Sequence, residues 1–210
     1  MLYNKKTAEK ISKFLLQSKA IILNPKNPFT WSSGITSPIY CDNRILLSFT
    51  EYRIAIKNIF CEIIAKEYPE TNIICGVATG GIPQASLIAD KMNLPLIYVR
   101  PSSKKHGRKN SVEGKTENNQ NVIVIEDLIS TGGSSIKGAL QIRENHCNVL
   151  SILSVFDYGF NISKKNMQAN KINYFSLTDL ETTMKIGVNE NYITKEEVNM
   201  IENWKSINFG

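Results

Sequence analysis

One short stretch of the chain combines two acids with a run of small residues. The segment "EDLISTGGSS", residues 126–135, directly follows the apolar run "NVIVI" at residues 121–125. Successive backbone N–H groups around Gly132 and Gly133 can surround an anion, and the N-terminus of a helix that follows them adds favourable partial charge. Hydroxyl donors can come from Thr131, Ser134 and Ser135. The second half of the segment therefore suits a monophosphate.

The two acids, Glu126 and Asp127, require a different partner, because they would repel the phosphate itself. Vicinal ribose hydroxyls donate hydrogen bonds to carboxylates, and a sugar 5-phosphate carries both kinds of group. The segment therefore predicts a sugar phosphate site. An ordinary strand-to-helix loop with Ser134 as the N-cap is the alternative interpretation. The Walker pattern is absent because no Lys follows Gly133, and the GxGxxG dinucleotide pattern is absent as well.

A second glycine-containing loop is "GVATGGIP" at residues 76–83, which follows an apolar run and has Pro83 near the first turn of a predicted helix. Backbone amides around Gly80 and Gly81 offer another place for an anion. Taken alone, a Gly-Gly pair before a helix is more often only a turn. Two such loops on neighbouring strands would suit a ligand that carries phosphate at both ends.

The third element with possible chemistry is a basic loop. Five of the ten residues in "RPSSKKHGRK", residues 100–109, are Arg or Lys. A solvated surface loop or an RNA-binding patch is the alternative. However, no aromatic residue is interleaved with the basic ones, whereas single-stranded nucleic acid binding usually combines positive charge with stacking platforms. A cationic loop that closes over a reacting anion and neutralises a leaving pyrophosphate fits at least as well.

The elements that must position these loops alternate along the chain. Helical spacing of apolar residues predicts helices over 7–20 and 51–67, and the capping-box pattern predicts helix starts at 178–181 and 194–197. Short apolar runs alternate with two further predicted helices, near 83–92 and 134–146; the runs lie at 72–78, 95–99, 121–125 and 149–156. This alternation predicts the α/β class, with a parallel sheet covered by helices on both faces. Ligands of such sheets bind beyond the carboxyl ends of the strands.

The whole chain limits the class of protein. Its 210 residues suit one domain. No segment approaches the roughly 20 apolar residues that span a bilayer, and the N-terminus is interpreted as a structural helix rather than a signal peptide, so we expect a cytoplasmic protein. Four cysteines without a CxxC pair and two histidines argue against a disulfide framework and a zinc site. The net charge of +6 is compatible with nucleic acid, a membrane surface or a polyphosphate ligand.

These motifs carry a family resemblance. "VIVIEDLISTGGSS" resembles the phosphoribosyl-pyrophosphate signature of the type I phosphoribosyltransferases. "FTWSSGITSPIYCDNR" at 29–44, with "YVRPSSKKHG" and "GVATGGIP", closely resembles the orotate phosphoribosyltransferases in the form found as a separate chain in many Gram-positive bacteria. The resemblance implies transfer of the 5-phosphoribosyl group from phosphoribosyl pyrophosphate to N1 of orotate. It further implies that the products are orotidine 5′-monophosphate and pyrophosphate, that the cofactor is Mg²⁺, and that the reaction is a step of de novo UMP synthesis.

The resemblance also implies an architecture. It implies the type I phosphoribosyltransferase fold in one domain over residues 1–210, with a five-stranded parallel sheet flanked by helices. A small hood is built from N- and C-terminal segments. The protein is expected to be a homodimer in which the basic loop reaches into the neighbouring subunit's site.

Roles are carried over by position. Arg100, Lys104 and His106 would bind the pyrophosphate side, with Lys104 the most important to the chemistry. Ser130 would also contact orotate, and Mg²⁺ would be held mainly through the substrate. The residues expected to bind phosphoribosyl pyrophosphate through its ribose 5-phosphate are Glu126, Asp127, Leu128, Ile129, Ser130, Thr131, Gly132, Gly133 and Ser134. The expected pyrophosphate loop consists of Thr79, Gly80 and Gly81.

Two further roles rest on chemistry together with the resemblance. Loss of pyrophosphate leaves cationic character at the anomeric carbon, which Asp127 is placed to stabilise. Arg44, at the end of "IYCDNR", is a suitable bidentate partner for the orotate carboxylate, and an ion pair with Asp42 is the alternative. The enteric branch of the family has cations at four positions where this chain does not, including those of Ser32, Pro101 and Gly80.

Two other functions stay open from the sequence. The first is a phosphoribosyltransferase for a purine or uracil, since residues 126–135 recognise only the common sugar phosphate. The second is a regulator that binds nucleic acid and senses phosphoribosyl pyrophosphate. The motif at 29–44 argues against the first, and the intact acid pair together with the lack of a DNA-binding module argues against the second.

Overall fold

The computed structural model describes residues 2–31, 34–100 and 111–209. The helices within these ranges are α1 (Lys5–Gln17), α2 (Thr50–Glu67), α3 (Gly81–Met92), α4 (Gly133–Glu144), α5 (Asn161–Ala169), α6 (Leu180–Asn189) and α7 (Lys195–Phe209). A 3-10 helix spans Asn43–Ser48. The strands are β1 (Ile21–Leu23), β2 (Phe29–Thr30), β3 (Thr36–Ser37), β4 (Ile39–Cys41), β5 (Ile73–Val77), β6 (Leu96–Val99), β7 (Val112–Glu113), β8 (Asn121–Ile129), β9 (Asn148–Asp157) and β10 (Tyr174–Asp179).

A six-stranded sheet in the order β10-β9-β8-β5-β6-β7 forms the centre of the molecule. Five of its strands run parallel, as the resemblance implied, and β7 is antiparallel to β6. The sequence analysis did not predict β7, because two residues are too short for a periodic signal. Val99 pairs with Val112, so the chain leaves and rejoins the sheet at the same edge on either side of the basic loop.

The apolar runs become central strands because both faces of the sheet are covered. Along β8, Ile123 and Ile125 belong to the core formed with α1, α2 and α3, whereas Val122 and Val124 belong to the core formed with α4. All four side chains are fully buried. A continuous apolar run is what such a doubly covered parallel strand requires. The predicted α/β class is confirmed.

The two predicted capping boxes differ in outcome. At the start of α7, the Glu197 N–H donates to Thr194 Oγ1 (3.2 Å) and the Thr194 N–H donates to Glu197 Oε2 (2.8 Å), so the box is present. At α6 the N-cap is Asp179, whose carboxylate accepts from the Thr182 N–H (2.9 Å). Thr178 is instead buried in β10 and bonds Ser12 of α1, so the predicted start at Thr178 was one residue too early.

Segments from both ends of the chain pack together beside the carboxyl edge of the sheet. β1 pairs with β4, β2 pairs with β3, and α7 packs on this region through aromatic rings. Trp204 Nε1 of α7 donates to the Thr36 carbonyl (2.7 Å), and its ring lies edge-on to Trp31. We call this unit the hood, residues 21–48 together with α7. In the part of the chain that the structure describes, no helix is both long and apolar enough to cross a membrane.

Candidate active site

The acid pair lies inside β8 rather than after it. The sequence predicted a strand that ends at residue 125, but β8 continues to Ile129. β5 pairs with β8 only as far as Ile125, and beyond this point the register pairs Glu126 and Leu128 with β9. Because side chains alternate along a strand, Glu126 points toward α4 and Asp127 toward the opposite layer.

Glu126 is enclosed between β8 and α4. Its residue is 4% exposed, and its Oε2 accepts a hydrogen bond from Ser135 Oγ (3.0 Å). Ser135 is 1% exposed, so it does not supply a phosphate donor as the sequence analysis suggested. Burial raises the pKa of Glu126 well above its ordinary value, and the neighbouring Asp127 charge raises it further, whereas the Ser135 hydrogen bond opposes both. Ser135 donates to only one of the two carboxyl oxygens, so a ligand hydroxyl could provide a further hydrogen bond to Glu126.

Asp127 lies where three segments meet. Its Oδ1 accepts from the Leu128 N–H (3.0 Å), and its backbone carbonyl accepts from Asn43 Nδ2 (2.7 Å). Its carboxylate lies so close to Gly80 that a Cβ at Gly80 would collide with it, and a Cβ at Gly81 would collide with the Ile125 carbonyl. The loop at 79–81 therefore approaches the acid pair closely because it contains glycine.

A possible phosphate site follows the acids at the start of α4. Gly132 has φ +80°, in the left-handed region that glycine adopts without strain, and it is the N-cap of α4. This excludes Ser134 as the N-cap, which was the alternative for this segment. Among the described residues no side chain caps this helix, so the N–H groups of its first turn are available to donate hydrogen bonds to an anion. Thr131, Gly133 and Ser134 surround the same turn.

A cavity of about 530 Å³ opens beside this turn. It is lined by Thr30, Trp31, Tyr40, Cys41, Arg44, Leu128, Ser130 and Tyr158. The cavity thus brings together Ser130 and Arg44, both expected to contact the base. Three of the lining residues are aromatic, and Thr30, Arg44 and Ser130 add polar groups, which together suit a flat heterocycle with polar substituents.

Sequence reasoning missed several of the lining residues. The ring of Tyr158 is buried at the end of β9, and Trp31 packs edge-on against it with ring centroids 5.4 Å apart. Trp31, Tyr40 and Cys41 belong to the motif at 29–44, so the motif itself was a signal for them. Burial raises the pKa of Cys41 well above that of an exposed thiol, which keeps this thiol neutral and unreactive as a nucleophile.

Arg44 pairs with Asp42 in the structure. Its Nε lies 2.7 Å from Asp42 Oδ1 and its Nη2 lies 2.8 Å from Oδ2, the geometry of a bidentate ion pair. The hydrogen bond from Arg44 lowers the pKa of Asp42. The ion pair with Asp42, which was the alternative interpretation of Arg44, is therefore present. The side chain is 61% exposed and also lines the cavity, so the ion pair with Asp42 leaves it accessible to a ligand.

The basic loop is described only at its ends. Arg100 follows β6, and its Nη2 lies 3.3 Å from Tyr98 Oη while its Nε lies 3.6 Å from Glu113 of β7. The Ala78 N–H donates to the Val99 carbonyl (2.8 Å), which places Arg100 next to the loop at 79–81. Lys104 and His106 lie outside the described residues, as do Ser32 and Pro101.

Comparisons with known proteins agree with this arrangement. Residues 47–185 match the family model described as "Phosphoribosyl transferase domain". The orotate phosphoribosyltransferase of Cytophaga hutchinsonii is 44% identical over 191 residues, which cover 91% of both chains. That of Bacillus subtilis is 41% identical over 195 residues, covering 93% of this chain and 90% of the relative.

A solved structure extends the similarity to the fold. Orotate phosphoribosyltransferase from Aeropyrum pernix superimposes with a TM-score of 0.70 at 28% identity, and the match covers 83% of this chain and 97% of the other. The family model matches more than half of the chain, and the curated relatives match along nearly their whole length. The chain belongs to the orotate phosphoribosyltransferases, within the phosphoribosyl transferase domain family.

Proposed function

We propose that the carboxyl edge of the central sheet is the active site at which this enzyme transfers the 5-phosphoribosyl group from phosphoribosyl pyrophosphate to orotate. The products are orotidine 5′-monophosphate and pyrophosphate, and the reaction belongs to pyrimidine synthesis. The observation that carries the proposal is the meeting of three features at this edge. They are the acid pair, the uncapped N-terminus of α4 and the aromatic cavity.

Phosphoribosyl pyrophosphate is assigned to the acids and the two glycine loops. The first turn of α4, with Thr131 and Ser134, binds the 5-phosphate, and Glu126 and Asp127 accept hydrogen bonds from the ribose hydroxyls. The pyrophosphate lies toward the loop at 79–81. Support for this assignment comes from the contact between Gly80 and the Asp127 carboxylate, which joins the two loops.

Orotate is assigned to the aromatic cavity. Ser130 lines this cavity and immediately precedes the phosphate-binding turn, so a base bound there lies beside the ribose. Arg44 supplies a cation for the orotate carboxylate while keeping its contact with Asp42. The cavity walls exclude water from the face of the ring.

The chemistry requires electrostatic stabilisation and no covalent nucleophile. As the bond to pyrophosphate breaks, positive charge develops at the anomeric carbon, and the Asp127 carboxylate stabilises it. Arg100, Lys104 and His106 stabilise the negative charge of the leaving group. Binding of both substrates at one edge also holds the reacting atoms in line, which removes much of the entropic barrier.

Mg²⁺ is the proposed cofactor, and the donor set fits an ion held mainly by the substrate. Among the described residues no group of three or more acidic, histidine or cysteine side chains could hold a metal by itself. Asp127 is the acid placed nearest the pyrophosphate loop and would provide an oxygen toward the ion. When bound, Mg²⁺ neutralises charge on the pyrophosphate.

The proposal includes a homodimer with shared sites and a cytoplasmic location. In the shared arrangement, Lys104 and His106 of one subunit act at the other subunit's acid pair. The positive charge of residues 100–109 and the pairing of Val99 with Val112 on either side of them, at an outer edge of the sheet, support the shared arrangement.

The direct test is orotate consumption followed by absorbance. We expect turnover only when phosphoribosyl pyrophosphate and Mg²⁺ are both present, and no turnover would contradict the proposal. Replacing orotate with uracil, adenine or guanine tests the alternative nucleobases, for which we expect no product. Tight nucleic acid binding that weakens steeply with salt would favour the regulator instead.

A further inference from the structure

Asn43 joins the hood to the acid pair. It is the first residue of the 3-10 helix at Asn43–Ser48 and is 5% exposed. Its Nδ2 donates to the Asp127 carbonyl over 2.7 Å, and its Oδ1 accepts from the Cys41 thiol over 3.4 Å. Both ends of the amide are therefore occupied, which fixes its orientation.

The Asp127 carbonyl lies where one side of β8 has lost its strand partner. β5 pairs with β8 up to Ile125, and the chain of β5 then turns away into the loop at 79–81. A backbone carbonyl left without a donor in a part-buried position is unfavourable. The side chain of Asn43 supplies that donor.

Asp127 is consequently held from three directions. The Leu128 N–H binds its Oδ1, the backbone of Gly80 lies against its carboxylate, and Asn43 binds its carbonyl. Of these three contacts, the one to Asn43 comes from the segment that also forms a wall of the aromatic cavity through Cys41 and Arg44. The hydrogen bond from Asn43 therefore fixes Asp127 relative to the wall of the base cavity.

We propose that Asn43 is a positioning residue for phosphoribosyl transfer, which sets Asp127 at its working distance from the base cavity without touching either substrate. The inference rests on the proposed role of Asp127. Misplacement of a reacting group by about 1 Å can lower a rate about a hundredfold. Loss of the Asn43 hydrogen bond therefore acts on kcat more than on either Michaelis constant.

Two substitutions test the proposal by steady-state kinetics with both substrates varied. Asn43→Ala removes the donor, and we expect kcat to fall about ten- to a hundredfold while both Michaelis constants change less than about threefold. Asn43→Asp has the same shape but donates to the Asp127 carbonyl only when its carboxyl is protonated. The ratio of variant to wild-type kcat should therefore rise as the pH is lowered.

The charged and titratable groups around the substituted carboxyl strengthen this expectation. Asp127 and Asp42 both lie near it, and the Cys41 thiol beside it stays neutral through burial. Arg44 is the next residue in the chain, but its guanidinium is bound to Asp42. Burial and the two acids favour the protonated form of an introduced carboxyl, so the recovery should begin above the ordinary Asp pKa of about 3.9.

A matched control is Asn145→Asp. Asn145 Nδ2 donates to the Gln141 carbonyl over 2.8 Å at the end of α4, remote from the cavity, so this variant should keep a pH-independent kcat ratio. Asp127→Asn is measured alongside: an unchanged kcat in that variant overturns the proposed role of Asp127 and with it the inference, whereas a lowered kcat leaves Asn43 to be judged by its own variants. Wild-type kcat in Asn43→Ala, or a pH-independent ratio in Asn43→Asp, would overturn the inference. If Asn43→Ala does not fold, the pH profile of Asn43→Asp decides.

Discussion

At the scale of single residues, the two adjacent acids of β8 occupy different surroundings. Glu126 is buried against Ser135 of α4, whereas Asp127 lies among the loop at 79–81, the 3-10 helix and the next backbone N–H. The sequence predicted that both acids bind one sugar phosphate. It did not reveal that Ser135 donates a hydrogen bond to Glu126. The spacing of hydroxyl residues along a helix does not show which of them face the preceding strand.

The first prediction concerns the stability of the free enzyme. Because folding raises the pKa of Glu126, the folded state binds this proton more tightly than the unfolded chain does. The contribution of Glu126 to stability is therefore fully present below the ordinary Glu pKa of about 4.3 and is lost as the pH rises through the folded-state pKa. Glu126→Gln removes this titration and should raise the free energy of unfolding at neutral pH by about 1–2 kcal/mol.

Urea denaturation at several pH values checks this prediction. The gain from Glu126→Gln should shrink as the pH approaches about 4, because the wild-type carboxyl is then protonated as well. Glu202→Gln, at an exposed site on α7, is the control and should show no such trend. A variant less stable than wild type at neutral pH would contradict the argument.

The second prediction concerns the base. Arg44→Ala should raise the Michaelis constant for orotate about tenfold or more, since it removes a charge-assisted contact, and should leave that for phosphoribosyl pyrophosphate nearly unchanged. Both constants are measured from initial rates. Equal changes in the two constants would mean that Arg44 acts only through its ion pair with Asp42.

At the scale of elements, the sequence predicted most of what positions the site. The parallel strands over 73–77, 96–99 and 121–129 lie within or near the predicted runs, because each contains a run of apolar residues that pack in the core. The extension of β8 beyond residue 125 was not predicted, since its acids interrupt the apolar pattern although β9 still pairs with them. Pairing between distant strands is a tertiary effect that local periodicity does not encode.

The cavity shows a similar limit. Tyr158 and Trp31 are far apart in sequence, and they form one wall only because the hood folds against the end of β9. Trp204 of α7 supports this wall from behind, with its ring centroid 5.7 Å from that of Trp31. No short motif contains all three rings, so this part of the site required the fold.

The third prediction tests this support. Trp204→Phe keeps an aromatic ring but loses the hydrogen bond from Nε1 to the Thr36 carbonyl, so the wall of the cavity should loosen. We expect the Michaelis constant for orotate to rise a few-fold, on the order of one hydrogen bond, with a smaller change for phosphoribosyl pyrophosphate. Ile207→Ala, on the same helix at a residue that is 74% exposed, should leave both constants unchanged. The same rise in both variants would argue against a specific role of Trp204.

At the scale of the whole molecule, the described part of one chain contains the proposed sugar phosphate site and the proposed base cavity. The cations assigned to the leaving group are Arg100, Lys104 and His106, and only Arg100 lies among the described residues. The sheet edge that carries Arg100 is also the edge at which β7 rejoins β6. To test the proposed sharing of sites, one must determine whether Lys104 acts at the acid pair of its own subunit or at that of the other subunit.

The fourth prediction answers that question by complementation. Lys104→Ala and Asp127→Asn should each lose most of the turnover, yet a hybrid dimer of the two would contain one site with both native residues if sites are shared. After equal mixing and exchange, about a quarter of wild-type activity should return, because about half of the dimers are hybrids and half of their sites are intact. Failure to recover activity, with subunit exchange verified, would assign Lys104 to its own subunit.

The alternation of side chains along β8 has a consequence for the energetics of ligand binding. Glu126 belongs to the layer that contains α4, and Asp127 meets the start of α3 in the opposite layer. A ribose held by both acids would link the two layers across the strand. Local opening of either layer would then require release of the ligand, so each opening becomes less favourable by the binding free energy.

Amide hydrogen exchange measures this linkage. On addition of phosphoribosyl pyrophosphate and Mg²⁺, exchange should slow in the first turns of both α3 and α4, and Asp127→Asn should weaken the protection of α3 more than that of α4. Protection confined to α4 would show that the ligand engages only one layer. Two neighbouring residues on one strand would then couple the two layers through a small substrate, so that the layers open together rather than separately.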